Sequence, residues 1–225
     1  LLKSLGRIHR WPDVVSAAAM AREAGFENLS FDLMYGLPEQ TLEDWAESLK
    51  RLVALDPTHL SCYELTVEPG TPLAQRRPTL PDEDAVLAMA ELAETFLGSA
   101  GLARYEISNY SKAGFCCRHN LLYWKRGSYV GVGPAAHSYL NGVRMANDPS
   151  LARWSGDIAS GLIRRVEETR ISPEEARFET MMLGLRLTEG IDLEEFTRTH
   201  GLSPFACWGK ALQTMKRQGL LDVDG

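Results

Sequence analysis

Phe31-Asp32-Leu33-Met34-Tyr35-Gly36-Leu37-Pro38-Glu39-Gln40-Thr41-Leu42-Glu43-Asp44-Trp45 holds the end of a strand, a turn and the start of a helix in one run. The strand reads from Asn28 to Tyr35, rich in β-prone residues and stopped by Gly36. Thr41 stands three residues before Asp44, the spacing of a capping box. Beyond it Leu42, Trp45, Leu49, Leu52 and Val53 recur at helical spacing. A strand feeding a capped amphipathic helix through a short turn is the unit of an α/β fold.

Working outward, the pattern continues. Val14 to Glu23 reads as a helix of small residues ended by Gly25. His59 to Leu65 reads as a second strand. Pro81-Asp82-Glu83-Asp84 opens a long helix with Val86, Leu87, Met89, Leu92, Phe96 and Leu97 on its apolar face, stopped between Gly98 and Gly101. Tyr105-Glu106-Ile107 reads as a further short strand. Strands separated by helices argue for a parallel sheet with α crossovers. A helix comes first, and an α/β barrel that opens on a helix has lost the strand before it, so the chain reads as a fragment.

After residue 147 the pattern turns helical. Asp148-Pro149 is expected to cap a helix running to about Ala159 and ended by Gly161. Ser172-Pro173-Glu174-Glu175 combines a Ser N-cap, Pro at the first helical position and Glu at the third. Two more helices are expected near Leu193 to Thr199 and Pro204 to Arg217. The expected division is therefore 1–147, an α/β part, and 148–225, a small helical domain.

Composition limits the function classes. The 225 residues are 44% hydrophobic and 24% charged with a net charge of -6, enough for a sizeable core. No apolar run approaches the roughly 18 residues of a membrane span, and Leu1-Leu2-Lys3 begins no secretory leader. The expectation is a cytoplasmic protein. From Ser172 to Gly225 six Lys/Arg face nine Asp/Glu, a balance of -3. That argues against reading the last three helices as a DNA-binding module, which needs a cationic face.

Cys62, Cys116, Cys117 and Cys207 include no CxxC or CxxxCxxC, the close spacing by which thiolates hold an iron–sulfur cluster. Cys62 reads as a small buried hydrophobe in its strand. Adjacent Cys116 and Cys117 read as free thiols, because bridging neighbours is strained; Cys117 also stands close enough to His119 to be considered as an iron ligand.

His119-Asn120-Leu121-Leu122-Tyr123-Trp124 brings an imidazole, an amide and two large aromatics together. A neutral imidazole ligates iron, and Tyr and Trp offer planar apolar surface to a macrocycle. A hydrogen-bonded or exposed His in a packing segment is the alternative. Arg118, Lys125 and Arg126 flank it, suited either to propionates or to solvent. His137 is a second, weaker candidate beside a core role. In the apolar strand, Asp32 is costly to bury unpaired and points to a ligand or partner contact. It also approaches the carboxyl end of its strand, where α/β barrels bind ligands.

Several blocks carry a resemblance in order: Asp32-Leu-Met-Tyr-Gly-Leu-Pro38-Glu-Gln-Thr41, Ser61-Cys-Tyr-Glu-Leu65 through Gly70-Thr-Pro72, Arg104-Tyr-Glu-Ile-Ser-Asn-Tyr110, Cys117-Arg118-His119-Asn120 with Tyr123-Trp124, and Tyr129-Val-Gly-Val-Gly-Pro-Ala-Ala-His137-Ser138-Tyr139. Together they resemble the haem chaperones of the HemW type, relatives of oxygen-independent coproporphyrinogen III oxidases in the radical S-adenosylmethionine (SAM) superfamily. The resemblance implies an incomplete α/β barrel followed by a winged-helix-like domain. It implies SAM, a 4Fe-4S cluster whose cysteines lie upstream of Leu1, and haem. It matches Arg7, Asp32, Met34 and Thr66 to positions lining the SAM pocket, and His119, Asn120, Tyr123 and Trp124 to the haem segment, with His119 as iron ligand. The function it implies is binding haem and handing it to haem-dependent membrane enzymes, with passing contact to the membrane. The alternatives are the oxidase, which decarboxylates porphyrinogen propionates, and an inactive truncated remnant. The end of the C-terminal domain is expected to lie beyond Asp222-Val-Asp-Gly225.

Overall fold

A computed structural model describes Leu2 and residues 5–223. It divides into two compact units, Leu1–Cys117 and Arg118–Gly225.

In the first unit α1 (Trp11–Glu23) precedes β1 (Ser30–Tyr35), α2 (Leu42–Val53) and β2 (His59–Glu64); α3 (Pro72–Arg76), α4 (Glu83–Ser99), β3 (Ala103–Arg104) and β4 (Asn109–Ser111) follow. The β1–α2–β2 unit forms as its local chemistry dictates. Gly36 takes a φ of 70°, which only a residue without Cβ adopts at little cost, and so ends β1. The Thr41 hydroxyl accepts from the Asp44 amide at 3.1 Å while Asp44 Oδ2 accepts from the Thr41 amide at 3.2 Å, starting α2. β1 and β2 pair in parallel, with Asp32 beside Ser61 and Met34 beside Tyr63.

The core lies between this sheet and its helices. Trp45, Leu49 and Leu52 of α2 pack with Met89, Ala93 and Leu97 of α4 and with Leu60, Cys62 and Tyr110 of the sheet. Trp45 is fully buried, and its indole N–H donates to the Met89 carbonyl at 2.8 Å, satisfying the polar atom that burial would otherwise strand.

The sheet is mixed rather than wholly parallel. Its order is β1-β2-β4-β3, with β4 antiparallel to both β2 and β3. The strand expected over Tyr105–Ile107 is instead the turn joining β3 to β4. A carboxylate closes that turn: Glu106 Oε1 accepts from the Ser108 amide at 3.3 Å and from the Asn109 side-chain amide. The Ser108 carbonyl in turn accepts from the Cys62 amide at 2.7 Å.

The second unit contains α5 (Arg118–Trp124), β5 (His137–Leu140), β6 (Val143–Asn147), α6 (Leu151–Ala159), β7 (Arg165–Arg170), α7 (Pro173–Gly184), α8 (Leu193–His200) and α9 (Pro204–Arg217). Residues 148–225 are thus not all helical. β7 pairs antiparallel with β6, and β6 with β5, giving a three-stranded sheet that joins residues on both sides of position 147. This pairing is why the compact units separate at Cys117/Arg118, thirty residues before the change of sequence pattern. The cap of α6 is Ser150, not Asp148; Asp148 accepts from the Ser150 amide at 2.8 Å and holds Arg153 at 2.7 Å. α7 starts on the expected Ser172–Glu175 capping box, and α9 spans the expected residues. No helix among the described residues is long and apolar enough to cross a membrane.

Candidate functional site

Alternation gives the first sheet two unlike faces. Phe31, Leu33, Tyr35, Leu60, Cys62 and Tyr110 pack with the helices. The residues between them, Ser30, Asp32 and Met34 of β1, His59, Ser61 and Tyr63 of β2, and Asn109 and Ser111 of β4, lie in register on the other face. That face is polar and hydrogen-bonded. His59 Nδ1 meets Ser30 Oγ at 2.8 Å, its Nε2 meets the Tyr105 hydroxyl at 2.9 Å, and that hydroxyl accepts from the Cys117 amide at 3.3 Å. Burial holds the His59 pKa below its ordinary value, and the nearby Asp32 charge offsets part of that effect. Burial pushes the Cys62 thiol up to about 12, with Asp32 adding to the shift, so Cys62 is an unreactive core thiol as expected. Asn109 is buried, and its Oδ1 has no hydrogen-bond partner among the described residues.

The four residues matched to a SAM pocket come from three places. Asp32 and Met34 are two residues apart on the polar face of β1, and Thr66 follows the end of β2. Arg7 is exposed in the segment before α1. Asp32 is exposed, not buried, so the burial argument for a ligand at Asp32 does not hold. What remains is an open carboxylate beside a buried imidazole on a polar sheet face. Met34 near the end of β1 and Thr66 beyond the end of β2 put a thioether and a hydroxyl toward the carboxyl ends of the parallel pair, with the Asp32 carboxylate at mid-strand; groups of this kind suit a polar cofactor with a cationic centre. Among the described residues no group of three or more His, Cys, Asp or Glu is arranged to hold a metal.

In the second unit α5 sorts the haem-segment residues by helical spacing. His119 and Tyr123, four apart, share one side: the exposed imidazole stands edge-on to the Tyr123 ring with centroids 4.8 Å apart. Tyr123 continues to Tyr129 at 4.7 Å, and Tyr129 to Tyr139 at 6.5 Å. Asn120 and Trp124 share another side. Trp124 lies under the Arg186 guanidinium, 5.3 Å from its centroid, and lines a small cavity with Thr180, Leu187 and Phe196. Its indole N–H is buried without an acceptor among the described residues. The segment is therefore split, with His119 and Tyr123 together and Trp124 turned to the helices.

The flanking cations separate too. Arg118 is exposed, Lys125 pairs with Glu189 at 2.8 Å, and Arg126 sits over the Tyr139 ring and bonds Glu179 at 2.8 Å. His137 is exposed at the start of β5. Cys117 belongs to the first unit, where its amide is bonded to Tyr105. Sequence reading overlooked His59, Tyr105 and Arg144. The polar alternation His59, Ser61, Tyr63 was the available signal for the first; Tyr105 and Arg144 join their clusters only through strand pairing.

The HemN C-terminal domain family matches residues 171–225. The chain is 36% identical over 225 residues to a protein of Bacillus subtilis named haem chaperone HemW, covering 98% of this chain and 59% of that one. It is 39% identical over 209 residues to the Haemophilus influenzae protein of the same name, covering 91% of this chain and 54% of that one. Among solved structures, coproporphyrinogen III oxidase (HemN) from Escherichia coli, described as a radical SAM enzyme, superposes with a TM-score of 0.81 at 21% identity, over 99% of this chain and 56% of that one. That likeness shows the fold: the chain shares the α/β arrangement of that structure, and its residues 171–225 match the C-terminal domain family. The chain spans less than two thirds of each of these relatives.

Proposed function

We propose a haem-chaperone function for this chain, which belongs to the HemW family of radical SAM proteins. In this reading the chain binds haem at His119 and supplies the cargo site of a protein that passes haem to haem-dependent membrane enzymes from the cytoplasmic side. The supporting observation is the exposed imidazole of His119 set edge-on to Tyr123, with the Tyr129 ring edge-on beyond it. An imidazole that is open to solvent and steadied by an aromatic ring is ready to take an iron atom, and the adjacent rings offer apolar surface to the macrocycle. Trp124 acts from behind, fixing α5 against the helices, and Asn120 lies on the same side.

The polar face of the first sheet is the proposed SAM side, with Asp32, Met34 and Thr66 as its contacts and Arg7 meeting the cofactor's carboxylate or ribose. SAM and a 4Fe-4S cluster would supply radical or redox chemistry when bound; the chain's own part is to hold the cofactor's polar groups. A metal-free porphyrinogen has no use for an exposed iron ligand, so the site favours the chaperone over the oxidase.

Haem titration tests the reading. The full chain is expected to bind haem near one equivalent with a Soret band typical of imidazole ligation. His119→Ala is expected to shift that band and weaken retention, because the axial ligand sets the spectrum. His137→Ala and Cys117→Ala are the controls. A wild-type spectrum in His119→Ala, with loss in either control, would place the iron elsewhere.

A further inference from the structure

The tyrosines beside His119 lead to a cation that the sequence does not associate with them. Tyr129 and Tyr139 exchange two backbone hydrogen bonds of 2.9 Å; Tyr139 is the register partner of Arg144, and Arg144 of Thr169. Register partners share a sheet face, so Tyr129, Tyr139, Arg144 and Thr169 form one row across the strands. Two strand spacings, about 10 Å, separate the backbones of Tyr129 and Arg144. The row begins at Tyr129, whose ring meets Tyr123 edge-on beside His119, and includes the Arg144 guanidinium.

The carboxylate that holds that guanidinium is shared. Glu179 is one carboxylate shared by two arginines, with Arg126 Nε at 2.8 Å and Arg144 Nη2 at 2.9 Å. The Arg126 and Glu179 side chains are each only 15% exposed, while that of Arg144 is 39% exposed. Glu175, the other carboxylate that feels Arg144, accepts from the Ser172 amide at the cap of α7. Glu179 occupies one hydrogen-bonding nitrogen of Arg144, and a guanidinium has five N–H donors. An anchored, partly exposed guanidinium with spare donors, sharing its one bonded carboxylate with a second arginine, is built to receive another carboxylate.

We propose that Arg144 binds a propionate of haem while His119 holds the iron. The assignment rests on the haem-binding reading of this chain and adds to it the group that orients the macrocycle. It prefers Arg144 to Arg126, whose side chain is only 15% exposed against 39% for Arg144.

The test is titration of the full chain with iron protoporphyrin IX and, separately, with its dimethyl ester, in which both propionates are capped. Wild type, Arg144→Gln and Arg144→Lys are compared by Soret difference spectra, with circular dichroism to check the fold. A charge-assisted hydrogen bond gives an expected tenfold or greater weakening of haem binding in Arg144→Gln, roughly the factor carried by 1.4 kcal/mol. Arg144→Lys is expected to restore part of it, and the ester to bind all three proteins alike. Equal weakening for haem and ester would make Arg144 a structural residue, and an unchanged haem affinity would remove it from the site. Either result overturns this assignment while leaving haem binding at His119 intact. Failure of wild type to bind haem at all would overturn the underlying reading instead.

Discussion

Replacing Glu179 by Gln keeps the side chain's shape and removes the charge that holds two arginines. Two hydrogen bonds of 2.8 and 2.9 Å lose their charge assistance. The Arg126 pair is shielded on both sides and is worth about 2 kcal/mol; the more exposed Arg144 is screened and adds no more than about 1 kcal/mol. Glu179→Gln is therefore expected to cost roughly 2–3 kcal/mol at pH 7, read by urea unfolding followed through tryptophan fluorescence. The pH dependence gives a second reading. Burial alone would raise the Glu179 pKa, but the hydrogen bonds from Arg126 and Arg144 outweigh it and hold the carboxyl below its ordinary value. A depressed folded pKa means stability that is present above the unfolded pKa, about 4.3, and is lost as pH falls through the folded pKa. The gap between wild type and variant should accordingly close on acidification below about pH 4.3. A cost under about 1 kcal/mol at pH 7, or a gap unchanged at pH 3, would refute the claim that this carboxylate organises the arginines.

Two further outcomes test the other parts of the molecule. Asp32→Asn removes the charge that partly offsets burial at His59, so the His59 pKa, already below its ordinary value, is expected to fall further in an NMR titration; in cluster-loaded protein the same change is expected to weaken SAM binding about tenfold by calorimetry. An unmoved His59 titration would show that the two groups do not interact across the sheet face. Gly131→Ala places a Cβ against the His137 carbonyl, where the loop is pinned by the bond from the Gly131 amide to Ser138 Oγ at 2.9 Å. It is expected to destabilise the second sheet by about 1–3 kcal/mol in urea unfolding, and wild-type stability would show that the loop lies off β5.

Where the fold was legible, the determinants were local. The Thr41 and Ser172 capping boxes and the Pro at the start of α9 each act within one helical turn, and those helices begin where the sequence places them. β7 carries no such mark. Arg165-Val-Glu-Glu-Thr-Arg170 is exposed throughout and charged at four of six positions, a composition that guards an edge strand against pairing with other chains and also hides it from a search for apolar alternation. The Tyr105–Ile107 segment misled for a related reason: its residues suit a strand, yet Glu106 is used to close a turn, and that use depends on Asn109 arriving on the returning strand.

The candidate haem site divides along the same line. His119 and Tyr123 meet because four residues on a helix return to the same side, so sequence spacing alone predicts their contact. The same rule separates Trp124 from them, since a residue next in sequence is turned by about 100° around the helix. Arg144 follows a different logic. It reaches the tyrosines through the register of β5 with β6, and its charge is fixed by a carboxylate 35 residues later on α7. A one-residue slip in that register would send Arg144 to the opposite face, so the site depends on β6 pairing correctly with both β5 and β7. If Arg144 takes a propionate as proposed, the exposed, charged β7 bears on recognition without touching the ligand: by completing the sheet it holds Arg144 in the row that begins at Tyr129.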